Sequence, residues 1–215
     1  HQNEGEAMNG KALNFYGHFL SVPSCKVGLI LSMAGIKHSY HHVDLMKGAQ
    51  KEFSFQALNR FAQVPVVVHG GQAICQSDVI LAYLAEQFDR LGGETDEEHL
   101  RVHEWLCWQA DQLWNITRAR SQLKFQNGAP AVVEQLQTGS RAALSVLDAH
   151  LQDGDFIAGE QPTIADVACF VVVAHADDAE IDLSSWSAIG DWQTRMLALE
   201  GCAYPVDIMP RESRG

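Results

Sequence analysis

Thr163-Ile164-Ala165-Asp166 stands between Gly159-Glu160-Gln161-Pro162 and the apolar run Val167 to Val173. These four residues encode a helix start in two ways. The Thr163 side chain can accept from the amide three residues on, while the Asp166 carboxylate can reach back to the Thr163 amide and faces the positive end of the helix dipole. Pro162 and Val167 stand where a hydrophobic staple would form, although proline is an unusual residue for it. Capping boxes open helices in unrelated folds, so this one takes its meaning from what precedes it. Upstream lie Gln63-Val64-Pro65-Val66-Val67-Val68, a Gly70-Gly71 turn, and Ala73-Ile74-Cys75-Gln76-Ser77-Asp78 opening another helix.

Hydrophobic spacing around the two motifs predicts two different domains. Leu13 to Gly17 alternates as a short strand, and Val27, Ile30, Leu31 and Ala34 recur at helical spacing within Cys25 to Ala34, with Gly35 placed to end that helix. Ser39 to Leu45 reads as a second strand, Val66 to His69 and Gln72 to Cys75 as a hairpin, and Ser77 to Phe88 as a helix. The order is that of a thioredoxin-like α+β domain, expected over residues 8–89. Gly92-Gly93 and the neighbouring charges predict a linker over 90–96. Beyond it Glu97 to Phe125, Ala131 to Leu151, Thr163 to Ala176 and Trp186 to Leu199 are all helical in pattern, so an all-α helical bundle is expected over 97–209. Residues 1–7 read as a tag or flexible tail before Met8, the expected natural start.

Composition narrows the function. With 215 residues, 47% apolar and 20% charged, the chain can bury a full core. A formal net charge of −12 with no basic stripe argues against nucleic acid as a partner. It also requires that an anionic ligand find a locally positive pocket. Five widely spaced cysteines with no Cys-x-x-Cys pair read as reduced thiols in a cytoplasmic protein. No run approaches the roughly 18 apolar residues of a membrane span, so no membrane partner is expected. His38, His41 and His42 invite a metal, but an extended strand turns residues 38 and 41 to opposite faces and no cysteine or carboxylate cluster completes a shell. No metal is expected.

Taken together, the Val64-Pro65 hairpin, the Gln76-Ser77 helix start and the Thr163 to Asp166 box resemble the soluble glutathione transferase family, in its serine-type form. The likeness runs from Asn9 to Met209 and includes Ala57-Leu58-Asn59 and Asp148-Ala149-His150-Leu151. Gln56 through Gln76-Ser77 is similar to the zeta class, whereas Ala174-His175-Ala176, Asp182-Leu183 and Trp192 look like bacterial members with theta- or nu-like features. Arg60 stands where proline is usual and Ala62 where glycine or lysine is common. The resemblance implies a cytoplasmic homodimer that takes glutathione as co-substrate, needs no metal, and joins the glutathione sulfur to a small hydrophobic electrophile in detoxification. It equally allows a non-catalytic glutathione-binding scaffold, or a glutathione-dependent isomerase or disulfide reductase.

The resemblance assigns roles residue by residue. Proline before a strand of valines marks a turn; as an isolated dipeptide Val64-Pro65 reads as trans, and a cis bond would turn the Val64 amide and carbonyl outward to pair with the cysteinyl part of glutathione. Ser77, at a helix start, offers a hydroxyl and backbone amides to the γ-glutamyl carboxylate, or serves simply as an N-cap. Gln76 would contact the γ-glutamyl amine and Gln63 also belongs to the glutathione-binding set, while the cation that Arg60 brings to the proline loop, Gln50 and Lys51 are rival candidates for the glycyl carboxylate. Ser21, five positions before Lys26, holds the register of the activating serine and would donate a hydrogen bond to the thiolate. Ser24 fits the role of helix cap better than Ser21. Cys25 is a rival for thiol exchange near a helix N-terminus, or a buried thiol. Phe19, Val22 and Trp114 are the expected acceptor-pocket residues, with Trp105 and Trp108 as core or interface.

Overall fold

The structure is a computed structural model that describes residues 11–215, so the expected tail over 1–7 and the start at Met8 lie outside the described residues. The chain divides into two compact units. One runs to Arg90 and takes back Ala203–Gly215; the other is Leu91–Cys202.

In the first unit β1 (Leu13–Gly17) lies parallel to β2 (Ser39–His42) and antiparallel to β3 (Val66–His69), which pairs with β4 (Gln72–Cys75), for a sheet order β2-β1-β3-β4. Phe15 sits in register between Tyr40 and Val67. Strand β1 buries Leu13, Phe15 and Gly17 in alternation, as a pleated strand with one covered face should. The second strand is shorter than Ser39 to Leu45, because the Asp44 side chain accepts from the Met46 and Lys47 amides and starts a 3-10 turn over Leu45–Lys47.

Helix α1 (Val22–Met33) is buried on nearly every side, from Ser24 through Leu31. Gly35, with φ 63°, ends it, and the Ile36 amide returns to the Leu31 carbonyl at 2.9 Å. After the single turn α2 (Phe53–Gln56) and the hairpin comes α3 (Ser77–Phe88). Residues 203–209, expected in the helical bundle, belong instead to this unit. A Cβ on Gly28 would lie 2.6 Å from the Met209 sulfur, so the bare glycine backbone makes room on α1 for the segment after Cys202.

In the second unit α4 (Asp96–Trp108) and α5 (Asn115–Ser121) form one run interrupted and followed by π turns at Gln109–Leu113 and Gln122–Gln126. Then come α6 (Pro130–Leu151), α7 (Ile164–Val173) and α8 (Ser187–Leu197). All ten residues of α7 are buried. Its start is the capping box read in the sequence, and the Asp166 carboxylate, 0% exposed, accepts from the Thr163 amide (2.9 Å) and hydroxyl (3.2 Å), the Ile157 amide (2.9 Å) and Trp192 Nε1 (3.0 Å). Four donors match the lone pairs of a carboxylate, which makes its burial tolerable. Burial still pushes its pKa up against the downward pull of those bonds. The short helix α9 (Pro205–Ile208) returns to the first unit.

Candidate active site

Ser21 closes the turn that follows β1: its amide donates to the His18 carbonyl at 3.0 Å. It is the N-cap of α1, with extended backbone angles and its hydroxyl oxygen accepting from the Ser24 amide at 3.2 Å. This corrects the expectation that Ser24 would be the cap. Ser24 is fully buried, and its hydroxyl accepts from the His18 amide at 3.3 Å, bracing the turn from inside. Pro23, the second helical residue, favours a cap ahead of it over Ser24 behind it, since proline is tolerated within the first helical turn, where its missing amide is not needed. The cap bond engages a lone pair of the Ser21 oxygen and leaves its proton to donate. Cys25 is 1% exposed, with its thiol directed at the Phe19 carbonyl at 3.6 Å. A thiol so enclosed is inaccessible to an external disulfide.

The Val64–Pro65 bond is cis, against the trans reading of the isolated dipeptide. The amide and carbonyl of Val64 make no hydrogen bond with any of the described residues. Its loop is held by Asn59, 1% exposed, which donates to the Gln63 carbonyl at 2.7 Å and accepts from the Phe61 amide at 3.0 Å. Asn59 is thus a positioning residue with no role assigned from sequence. Ala62 has φ 52°, a left-handed conformation that glycine takes freely and alanine adopts at a cost of about 1–2 kcal/mol. The Arg60 guanidinium lies over the Phe61 ring at 4.4 Å.

Gln76 is the cap of α3, with φ 70° and ψ 121°, an uncommon backbone state for a residue with a side chain. Ser77 is therefore the first helical residue rather than the cap. The first intrahelical bond runs from the Ile80 amide to the Gln76 carbonyl at 2.9 Å, so the turn ahead of it presents amide donors at the positive end of the helix. No partner of the Ser77 hydroxyl is found among the described residues. Asp78 pairs with Lys26 at 3.0 Å, the lysine side chain being 1% exposed, which ties α1 to the first turn of α3. Gln50 and Lys51 share a 3-10 turn; the buried Gln50 Oε1 has no hydrogen-bond partner among the described residues, and the Lys51 carbonyl accepts from Gln56. Gln63 is exposed.

A ring cluster adjoins Ser21. His18 stacks on Phe19 at 4.6 Å and approaches His42 at 5.0 Å, and Arg211 lies over Phe19 at 4.8 Å. The His18 Nδ1 accepts from the Leu20 amide at 3.1 Å; burial, then His42, pushes its pKa down against the opposing pull of Asp44. Acceptance at Nδ1 leaves Nε2 to carry the proton of the neutral ring, the form that the downward shift favours. His41 bonds Asn14 at 2.8 Å and His38 bonds the Ile36 carbonyl at 2.9 Å, while the His42 ring lies beside His18, so the three histidines of the sequence do not converge. No group fit to hold a metal occurs among the described residues. Of the expected acceptor residues, Phe19 is half-buried, Val22 is packed away at 2% exposure, and Trp114 is half-buried in the helical unit after the first π turn.

A thioredoxin-like sheet with a cis-proline loop, joined in one chain to an all-helical unit, defines a two-unit class of protein with an α+β first unit. Residues 11–86 match the family described as Glutathione S-transferase, N-terminal domain, and residues 130–197 the Glutathione S-transferase, C-terminal domain. The chain belongs to the soluble glutathione S-transferase family of enzymes. Glutathione S-transferase 3 of Zea mays is 31% identical over 163 residues, 72% of this chain and 73% of that one. The Disulfide-bond oxidoreductase YfcG of Escherichia coli is 28% identical over 182 residues, 80% and 84% of the two chains. A glutathione S-transferase structure from Xanthobacter autotrophicus is 32% identical, with a TM-score of 0.83 over 91% of this chain and 98% of that one.

Proposed function

We propose that the first unit binds glutathione and activates its thiol, and that the hydroxyl of Ser21 is the activating donor. The observation that carries this reading is the Ser21 cap. Its oxygen is fixed by the Ser24 amide while its proton remains available, at the positive end of α1. The Gln76–Ser77 start of α3 suits the γ-glutamyl carboxylate, the unpaired Val64 backbone suits the cysteinyl part as an added strand would, and Gln50 with Lys51 suits the glycyl carboxylate. On binding, the thiol releases its proton to solvent. The thiolate then forms a carbon–sulfur bond, and the displaced group leaves with its electron pair. Lowering the thiol pKa by about two units needs about 2.7 kcal/mol of differential stabilisation, within reach of one fixed donor and a helix terminus.

The electrophile is small and apolar enough to lie against Phe19. A second reading, reduction of disulfides, draws on the similarity to YfcG. With serine at the activating position and Cys25 buried, such exchange would run through the sulfur of glutathione itself.

No helix among the described residues is long and apolar enough to cross a membrane. The cysteine pattern and the family favour a cytoplasmic homodimer, and sedimentation at micromolar concentration is expected to give about twice the 23.7 kDa monomer mass. A single species of monomer mass would refute the assembly.

The test of the main reading is Ser21→Ala. Turnover is expected to fall at least about tenfold, with the pKa of bound glutathione raised in its ultraviolet thiolate absorbance and affinity nearly kept. If Ser21→Ala retains full activity while Cys25→Ala loses it, the chemistry is thiol exchange on the protein and the proposal fails.

A further inference from the structure

Segment Ala203–Gly215 is anchored at two places. Met209 and Ile208 pack against Gly28 of α1, and farther on Ser213 accepts from the His42 amide at 2.9 Å while Arg214 and Tyr40 exchange backbone bonds of 2.6 and 2.8 Å. Arg211 lies between the anchors. Its guanidinium carbon stands 4.8 Å from the centroid of the Phe19 ring, and Phe19 belongs to the turn that Ser21 closes.

Position sets this arginine apart: Arg60 also lies over a ring, Phe61, but Arg211 lies over the ring of the turn that Ser21 closes. Lys26, Lys47, Arg101, Arg120, Lys124 and Arg195 all pair with carboxylates, whereas Arg211 has no carboxylate partner among the described residues. It is also an unneutralised cation in a chain of formal charge −12, beside the residue that would activate the thiol. A guanidinium resting on a ring face keeps its in-plane N–H groups free, and these match a carboxylate in two-pronged fashion. Anchoring on both sides spares part of the ordering entropy that a freely moving arginine would lose on capturing a ligand.

We propose that Arg211 sets the acceptor preference of this site, drawing electrophiles that carry a carboxylate onto the Phe19 side of Ser21. The inference rests on the glutathione-activating reading of Ser21 and adds the substrate class: a small aromatic or unsaturated acid whose electrophilic carbon faces the thiolate while its carboxylate meets Arg211.

The test compares a para-chloro-meta-nitrobenzoate with the corresponding benzamide, two electrophiles of nearly equal shape that both lose chloride to the glutathione thiolate and differ in charge. Because the amide is intrinsically the more reactive, the readout is the acid-to-amide ratio of kcat/KM in Arg211→Gln relative to that in the parent. This ratio is expected to fall about tenfold, mainly through KM for the acid, with Arg211→Lys intermediate and the parent's ratio declining as salt is raised. Calorimetry with glutathione and with the two finished glutathione conjugates supplies a readout that needs no turnover. If the parent binds glutathione and both conjugates but Arg211→Gln leaves the acid-to-amide ratios of rate and affinity unchanged, the inference is overturned and the glutathione reading stands. It is overturned likewise if Arg211→Gln weakens glutathione itself by the same factor, because the guanidinium then serves the thiol substrate. A parent that binds no glutathione sinks both.

Discussion

The start of α7 and the starts of α1 and α3 expose the same kind of helix amides and finish in opposite states. At α7 the Thr163 hydroxyl accepts from the Ala165 amide and donates to Asp166, and the Asp166 carboxylate takes four donors, all buried. Nothing is left over for a ligand. At α1 the Ser21 oxygen takes one donor and keeps its proton, and at α3 the Ser77 hydroxyl has no partner among the described residues. A helix start that satisfies itself is a structural device, whereas one that leaves hydrogen-bonding capacity outward is a place for a substrate. The presence of a cap says little about function; the balance of its donors and acceptors says more.

Substitutions at the three helix starts can break or sharpen this contrast. Asp166→Ala strands three donors and the Thr163 hydroxyl in a dry interior, and is expected to cost about 3–5 kcal/mol of stability by urea unfolding, enough to prevent folding at physiological temperature. An unfolding midpoint equal to the parent's would show that the box is not the structural device described. At Ser77 the expected loss lies in binding. Ser77→Ala should weaken glutathione by about 1–3 kcal/mol in calorimetry with folding retained; equal affinity would remove Ser77 from the carboxylate site. The smallest stability effect is expected at Ser21, where Ser21→Ala loses one cap bond, about 1 kcal/mol in the same urea experiment. A loss as large as that of Asp166→Ala would mean that the Ser21 hydroxyl is spent on the fold, leaving less for a thiol.

Much of this was legible where the chemistry is local. The Thr163 to Asp166 box, Gly35 at the end of α1 and the hairpin around Gly70-Gly71 are each specified by residues a few positions apart, and all three stand in the structure. Legibility failed where local polar groups compete with the apolar pattern and where a distant segment decides the outcome. The second strand stops at His42 because Asp44 captures amides ahead of it, a local competition with the ladder that an apolar pattern does not report. The Val64–Pro65 bond is cis where the dipeptide alone favours trans. Lys26 and Asp78 are 52 positions apart, and Arg211 reaches Phe19 across most of the chain, so no spacing rule announces either contact. Ser21 and Ser24 both stand where a cap fits, and only Pro23 between them discriminates.

The exchange of backbone bonds between Arg214 and Tyr40 also bears on the colloidal behaviour of the molecule. Strand β2 is an outermost strand of the sheet, and an uncovered outermost strand offers its amides and carbonyls to any other extended chain. Residues 213 and 214 occupy that margin as a sacrificial neighbour would. Proteolytic nicking or a bulky fusion placed after Met209 would uncover it, and the expected cost is sheet-to-sheet clumping in concentrated solution before any loss of the core.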